Sequence, residues 1–146
     1  MIHGIIDIGS NTIRMAIHDI AGEKIDFLMK KKHLVGLAAY LDNNVMTKAG
    51  IDKVCEVLFE FRSFLEIFHI SQVTAFTTAA LRNCRNSREA VEEIIRRTGI
   101  DIEIISGDKE AEYDFIGATR NIAEKDGVLA DIGGASTELV AFREGK

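Results

Sequence analysis

Two stretches of the chain, GIIDIGSNTIRM at residues 4–15 and VLADIGGASTELV at residues 128–140, place Asp-Ile-Gly at the end of an apolar run and follow it with small hydroxyl or amide side chains. A turn such as Gly9-Ser10-Asn11 or Gly133-Gly134 folds the backbone sharply and leaves its N–H groups outward, where they can cradle an anion. Phosphate is the usual guest. The aspartate before each turn, Asp7 or Asp131, repels phosphate, so its chemistry is to hold Mg²⁺ or a metal-bound water between itself and the phosphate oxygens. Carboxylate and glycine turn together point to metal-assisted phosphate chemistry. Either turn alone reads equally well as a hairpin turn with aspartate as turn former; the repetition carries the functional reading. The chain lacks G-x-x-x-x-G-K-[ST] and G-x-G-x-x-G, so neither a P-loop nor a dinucleotide motif accounts for its glycines.

The elements that must position these turns follow from the hydrophobic pattern. Residues 2–8 and 12–20 read as strands joined by the first turn, and Ala21-Gly22-Glu23 leads into a third run, Lys24 to Leu34, giving an antiparallel meander. From Thr47 to Phe68 the residues Ile51, Val54, Leu58, Phe61, Leu65 and Phe68 recur at steps of three and four, the mark of an amphipathic helix. QVTAFTT then reads as a strand, AALRNCRN as a loop, and Ser87 to Arg97 as a helix with Asn86 and Glu89 as its capping box. IDIEIIS reads as a strand, GDKEAEYDFIGATRN as a helix capped by Ser106, and GVLADIG with STELVAFRE as a strand, turn and strand like those of the start. This order predicts an α/β domain with a mixed sheet covered by helices on both faces.

Composition bounds the answer further. With 146 residues, 47% of them apolar, the chain can bury one core, and one compact domain is the default. A net charge of -5 argues against a nucleic acid polymer or an anionic membrane as partner, so a polyanion must be held by local donors. Cys55 and Cys84 make neither a disulfide framework nor a Cys/His metal site, which fits a reduced, cytoplasmic setting. No apolar run approaches the ~20 residues of a membrane helix. The opening MIHGIIDIGS has no positive region ahead of a long apolar stretch, which argues against a signal peptide. Phe59, Phe61, Phe64 and Phe68 read as core. Lys30-Lys31-Lys32 reads as a solvated strand end, with a polyphosphate track as the alternative. Cys84 reads as a small filler, reactive only if neighbouring arginines depress its pKa. The four histidines are scattered without ligand spacing.

In DIGSNTIRM at 7–15, TTAALRNCRN at 77–86, EIISGDKEAEYDFIGA at 103–118 and ADIGGASTEL at 130–139, taken in order, the chain resembles the N-terminal domain of the exopolyphosphatase and guanosine pentaphosphate phosphatase (Ppx/GppA) family, within the actin-like, sugar kinase and Hsp70 superfamily. The resemblance covers nearly the whole chain. It implies a ribonuclease H-like (actin-like ATPase) domain whose two turns bind the phosphates of a chain substrate, with Mg²⁺ assisting. By this resemblance Glu110 is the catalytic glutamate, the general base on the attacking water. Asp131 and Glu138, with Asp7, are ligands or positioners of the metal and water. Gly9, Ser10, Asn11, Thr12, Gly133, Gly134, Ala135, Ser136 and Thr137 hold phosphate, joined by Arg14 and Arg82, whose guanidinium forks suit it.

The residues themselves leave alternatives open. Glu110 lies in the first turn of a helix after a strand, near the carboxyl edge where such sheets bind ligands, but an acidic residue there also complements the helix dipole, as Asp108 would. Arg14 also reads as a solvated strand residue and Arg82 as a surface loop charge. Ala135 stands where the family has a third glycine, and its methyl group is expected to crowd a phosphate or restrict the turn. Val35-Gly36 falls where the family often carries an arginine. The chain stops at Lys146, where a second, similar lobe is expected to begin and to complete the cleft. The implied function is hydrolysis of terminal phosphoanhydride bonds in polyphosphate or guanosine pentaphosphate, with a homodimer also allowed for. The alternatives are a non-catalytic phosphate or nucleotide-binding regulatory module and an ATP-dependent kinase of the same superfamily.

Overall fold

Period-two alternation is clearest where the chain begins, and it sets the sheet. In the computed structural model, which describes residues 1–120 and 123–144, β1 (Ile2–Ile8), β2 (Thr12–Ala21) and β3 (Lys24–Leu34) form the expected antiparallel meander. Gly4, Ile6 and Ile8 of β1 and Ile13, Met15 and Ile17 of β2 are buried on one face, and the residues between them, Asp7 and Arg14, point to the other.

A 3-10 turn (Leu37–Tyr40) and the short hairpin β4 (Leu41–Asp42) and β5 (Val45–Met46) lead into α1 (Lys48–Ile67), capped by Thr47, whose side chain accepts from the Gly50 amide. Helix α1 lays Val54, Leu58, Phe61 and Leu65 on the buried face. At roughly 1.5–3 kcal/mol for each large apolar side chain fully buried, this stripe is the main attachment of helix to sheet. Of the four phenylalanines read as core, only Phe61 is fully buried; Phe64 packs partly, and Phe59 and Phe68 are exposed, Phe59 because it sits off the stripe.

Strand β6 (Gln72–Thr77) returns parallel to β1. It is followed by α2 (Ala79–Arg82), α3 (Ser87–Thr98) and β7 (Glu103–Ile104), which pairs parallel with β6. The sheet order is β3-β2-β1-β6-β7, mixed as expected. Helix α3 packs beside α1, and Arg97 reaches back to Asp52 at 2.6 Å. Helix α4 (Gly107–Thr119) lies over the opposite face, its Tyr113 ring 6.3 Å from that of Phe76, the β6 partner of Asp7. Helices therefore cover both faces, unequally: α4 has no fully buried residue, and its side of the sheet keeps room for a ligand.

The last hairpin, β8 (Gly127–Ile132) and β9 (Thr137–Phe142), forms a two-stranded sheet of its own and packs on α4 through Phe142 and Phe115, 5.3 Å apart. Asn121, read as the end of the α4 helix, lies outside the described residues. Among the described residues no helix is long and apolar enough to cross a membrane.

Three expectations are corrected. The stretch AALRNCRN is not all loop: Ala79, Ala80 and Leu81 bury themselves in the single turn α2, closed by Arg82 N–H to Thr78 O at 2.9 Å. The IDIEIIS strand shrinks to Glu103–Ile104, because the alternation of burial breaks at Ile104, which is exposed while Ile102 and Ile105 are buried, and only two residues find ladder partners. Asn86 makes no capping bond with its own helix; its amide instead clamps Met46, accepting from its N–H at 2.8 Å and donating to its carbonyl at 3.0 Å. A tertiary partner outcompeted the local one.

Candidate active site

The parallel strands β1, β6 and β7 end side by side at Ile8, Thr77 and Ile104, and the chain leaves each toward one cleft of about 410 Å³. From β1 comes the first turn. From β7 comes α4, capped by Ser106, whose hydroxyl accepts from Lys109 N–H at 3.2 Å, so that Glu110 enters one turn into the helix. Asp7, Gly9, Ser10, Asn11, Thr12, Arg14, Glu110, Asp131, Gly133, Gly134 and Ser136 all line this cleft. A larger cleft of about 610 Å³ lies near the amino end of β6, but neither glycine turn reaches it, and Arg62 there is engaged by Glu66 and the Thr98 carbonyl.

The two turns are built alike. Gly9 donates its N–H to Thr12 O and Gly133 to Ser136 O, both at 3.0 Å and both three residues on. Neither glycine has a left-handed backbone; close approach is what excludes a side chain. A Cβ on Gly9 would lie 3.0 Å from Thr12 O, and one on Gly134 would lie 2.6 Å from Asn11 Nδ2 and 2.7 Å from its Cγ. Gly134 is therefore where the second turn abuts the first. Ala135 is exposed, does not line the cleft, and adopts no left-handed backbone. Thr137 is likewise exposed and off the cleft.

Arg14 and Asp7, ladder partners across β1 and β2, bind each other: Nη2 and Nε donate to Asp7 Oδ2 at 2.6 and 3.1 Å. Lys32 is the ladder partner of Arg14, and Lys30 shares that face, whereas Lys31 turns to the α1 side and binds Glu60 at 2.6 Å.

Arg82 stands behind the cleft rather than in it. Its Nη1 donates to Glu110 Oε2 at 2.6 Å and to Ile105 O at 3.2 Å, and its Nη2 lies 4.0 Å from Glu138. Burial raises the Glu110 carboxyl above the ordinary carboxylate range; the Arg82 bond opposes this, and the charges of Glu138 and Asp7 add to it. Cys84 is buried and its thiol is pushed up by burial, as befits a filler.

Asp114 is the residue that sequence reasoning missed. It lies one helical turn beyond Glu110, and the i,i+4 spacing of the two carboxylates on one face of α4 was the available signal. Burial pushes its carboxyl up to about 6, helped by the negative charges of Asp131, Glu110 and Glu138. Asp114, Asp131 and Glu138 each offer an oxygen within 4.8 Å of the others, an all-oxygen set suited to a hard divalent cation.

Residues 16–146 match the model of the Ppx/GppA phosphatase family. The exopolyphosphatase 1 of Mycobacterium tuberculosis is 28% identical over 140 residues, which cover 93% of this chain and 41% of that protein. An exopolyphosphatase structure from Cytophaga hutchinsonii superposes with a TM-score of 0.91 at 29% identity, covering 100% of this chain and 48% of the other. The Aquifex aeolicus Ppx/GppA enzyme superposes at 0.85 and 26% identity, covering 100% and 50%. The chain thus spans less than half the length of the curated relatives it matches. Its fold is the ribonuclease H-like, actin-like ATPase architecture, and the chain belongs to the Ppx/GppA phosphatase family.

Proposed function

We propose that this chain supplies one wall of a phosphatase site that hydrolyses terminal phosphoanhydride bonds of polyphosphate or guanosine pentaphosphate. The observation that carries the reading is the convergence of two identically closed glycine turns and Glu110 on one cleft. The turn N–H groups other than those of Gly9 and Gly133, which close the turns, and the Arg14 guanidinium bind phosphate oxygens, and Arg14 exchanges its Asp7 partner for substrate. Glu110 takes a proton from water as the water oxygen attacks the terminal phosphorus. The bond to the bridging oxygen breaks, giving orthophosphate and a chain one phosphate shorter. Burial suits Glu110 to this role, because a raised proton affinity makes it a stronger base. Arg82 positions Glu110 from behind.

A divalent cation such as Mg²⁺, when bound, neutralises charge on the transferring phosphoryl group. Asp131 and Glu138 would hold it, and the fit is supported by Glu138 Oε2, a buried carboxylate oxygen with no hydrogen-bond partner among the described residues. The exopolyphosphatase relatives are more than twice as long as this chain, so a second lobe closing over the cleft belongs to this reading.

The test is Glu110→Gln in the full-length protein, assayed for phosphate release from polyphosphate and guanosine pentaphosphate and for tripolyphosphate binding. Loss of release with binding nearly intact is expected. Equal loss of both would remove the base role, and transfer of phosphate from ATP to an acceptor would replace the reading with a kinase.

A further inference from the structure

Asp114, Asp131 and Glu138 come from three elements, α4, β8 and β9, and converge although their charges repel. Asp131 and Glu138 are ladder partners and so share a face of the hairpin; Asp114 is brought to that face by the packing of α4 on it. Glu138 is only 9% exposed, and its Oε2 is without a hydrogen-bond partner among the described residues. Arg82, the nearest cation to it among the described residues, stays at 4.0 Å from Oε1 and is committed to Glu110 and Ile105 O. Asp114 Oδ2 is likewise buried and unpartnered among the described residues. A buried carboxylate oxygen without a donor is rare in folded proteins, and two residues that carry one, clustered with a third carboxylate, ask for a cation.

We infer that Asp114 is a protein ligand of one divalent cation, together with Asp131 and Glu138, and that Asp7 is not in this set. The donors are all carboxylate oxygens, which select a hard ion of the Mg²⁺ or Mn²⁺ type over a soft one. Asp7 is excluded by its own bonds, since Arg14 grips its Oδ2 with two donors. The inference takes its choice of ion from the phosphoanhydride reading, but the ligand set stands on geometry and is testable without substrate.

The experiment is Mn²⁺ titration of the purified full-length protein at pH 8 without substrate, followed by electron paramagnetic resonance. Wild type is expected to bind one Mn²⁺, Asp114→Asn to weaken it by at least about tenfold, and Asp7→Asn to leave it within about threefold. Asp114→Glu, which keeps the carboxylate, is expected to retain most of the binding and controls for folding. Unchanged binding in Asp114→Asn, a loss in Asp7→Asn as large as in Asp114→Asn, or no Mn²⁺ bound by wild type would each overturn the inference. Phosphate release is read separately on the same proteins. Hydrolysis with Asp114→Asn binding Mn²⁺ normally sinks the ligand set alone, whereas Mn²⁺ loss in Asp114→Asn with no hydrolysis by wild type sinks the functional reading alone.

Discussion

Gly134→Ala is the substitution that most directly asks whether the two turns act as one site. The added Cβ would sit 2.6 Å from Asn11 Nδ2 and 2.7 Å from Asn11 Cγ, where ordinary contact begins at 3.4 Å. Rotating the Asn11 amide about its own axis leaves Cγ in place, so relief requires that the side chain swing away or that the turns separate by close to an ångström. Both residues are exposed, and no core contact is lost, so folding stability is expected to change little. Catalytic geometry tolerates such a shift poorly: a displacement of about 1 Å in the positioning groups is worth up to ~10²-fold. The expected result is a fall of ten- to a hundredfold in kcat/KM for tripolyphosphate, about 1.4–2.7 kcal/mol of transition-state binding, with an unchanged melting temperature. Asn11→Ala in the Gly134→Ala background removes the obstructing atoms and should recover part of the loss. Activity of Gly134→Ala within twofold of wild type, or a double variant no better than the single one, would refute the argument that the turns bind one substrate jointly.

Other outcomes follow from the same coordinates. Because the Asp114 carboxyl is pushed up from 3.8 to about 6, the folded state binds its proton more tightly than the unfolded state does. That contribution is complete below about pH 4 and is lost as pH rises through 6. Two units are worth at most about 3 kcal/mol, and partial exposure reduces this to about 1–2 kcal/mol. Asp114→Asn in chelator should therefore melt higher than wild type at pH 8 and not at pH 4; an equal gain at both values would contradict the assignment. Arg82→Met leaves Glu110 buried beside Glu138 without its cation, so it should cost roughly 3 kcal/mol in denaturant unfolding and move the acid limb of kcat/KM upward, with Arg82→Lys partly restoring both. Lys30→Glu with Lys32→Glu, on the Arg14 face, should raise KM for long polyphosphate more than for tripolyphosphate, while Lys31→Glu should not. Phe61→Ala should cost about 3–5 kcal/mol and Phe59→Ala under about 1 kcal/mol by the same unfolding measurement.

Where the sequence could be read correctly, the determining contacts were short in range. The alternation of Ile6, Ile8, Ile13 and Met15 and the spacing of Val54, Leu58, Phe61 and Leu65 each encode one buried face, and those faces meet. The turns were legible because the tight backbone approach that favours Gly9 or Gly133 involves an atom three residues away. What failed was decided by partners far along the chain. Asn86 has the form of a cap, yet Met46, forty residues earlier, holds its amide. IDIEIIS alternates as a strand, yet β6 offers partners to only two of its residues. Asp114 carried a helical-face signal but no sign of what that face would meet, since Asp131 and Glu138 arrive from a separate hairpin.

That difference of range also explains the repeat of Asp-Ile-Gly. Each copy fixes the same backbone closure at the same offset, which is what a phosphate needs and what a local motif can specify. The aspartates begin as equivalents and end with opposite fates. Asp7 is taken by Arg14, the residue facing it across the β1–β2 ladder, so that on the proposed reading the first turn is a phosphate cradle with a cation ready to release. Asp131 faces Glu138 instead, so the second turn adds negative charge to negative charge, which the inferred cation would offset. The motif repeats in backbone; on the proposed reading the single ladder partner, arginine in one copy and glutamate in the other, decides which half would bind the anion unaided and which half would bind it through metal.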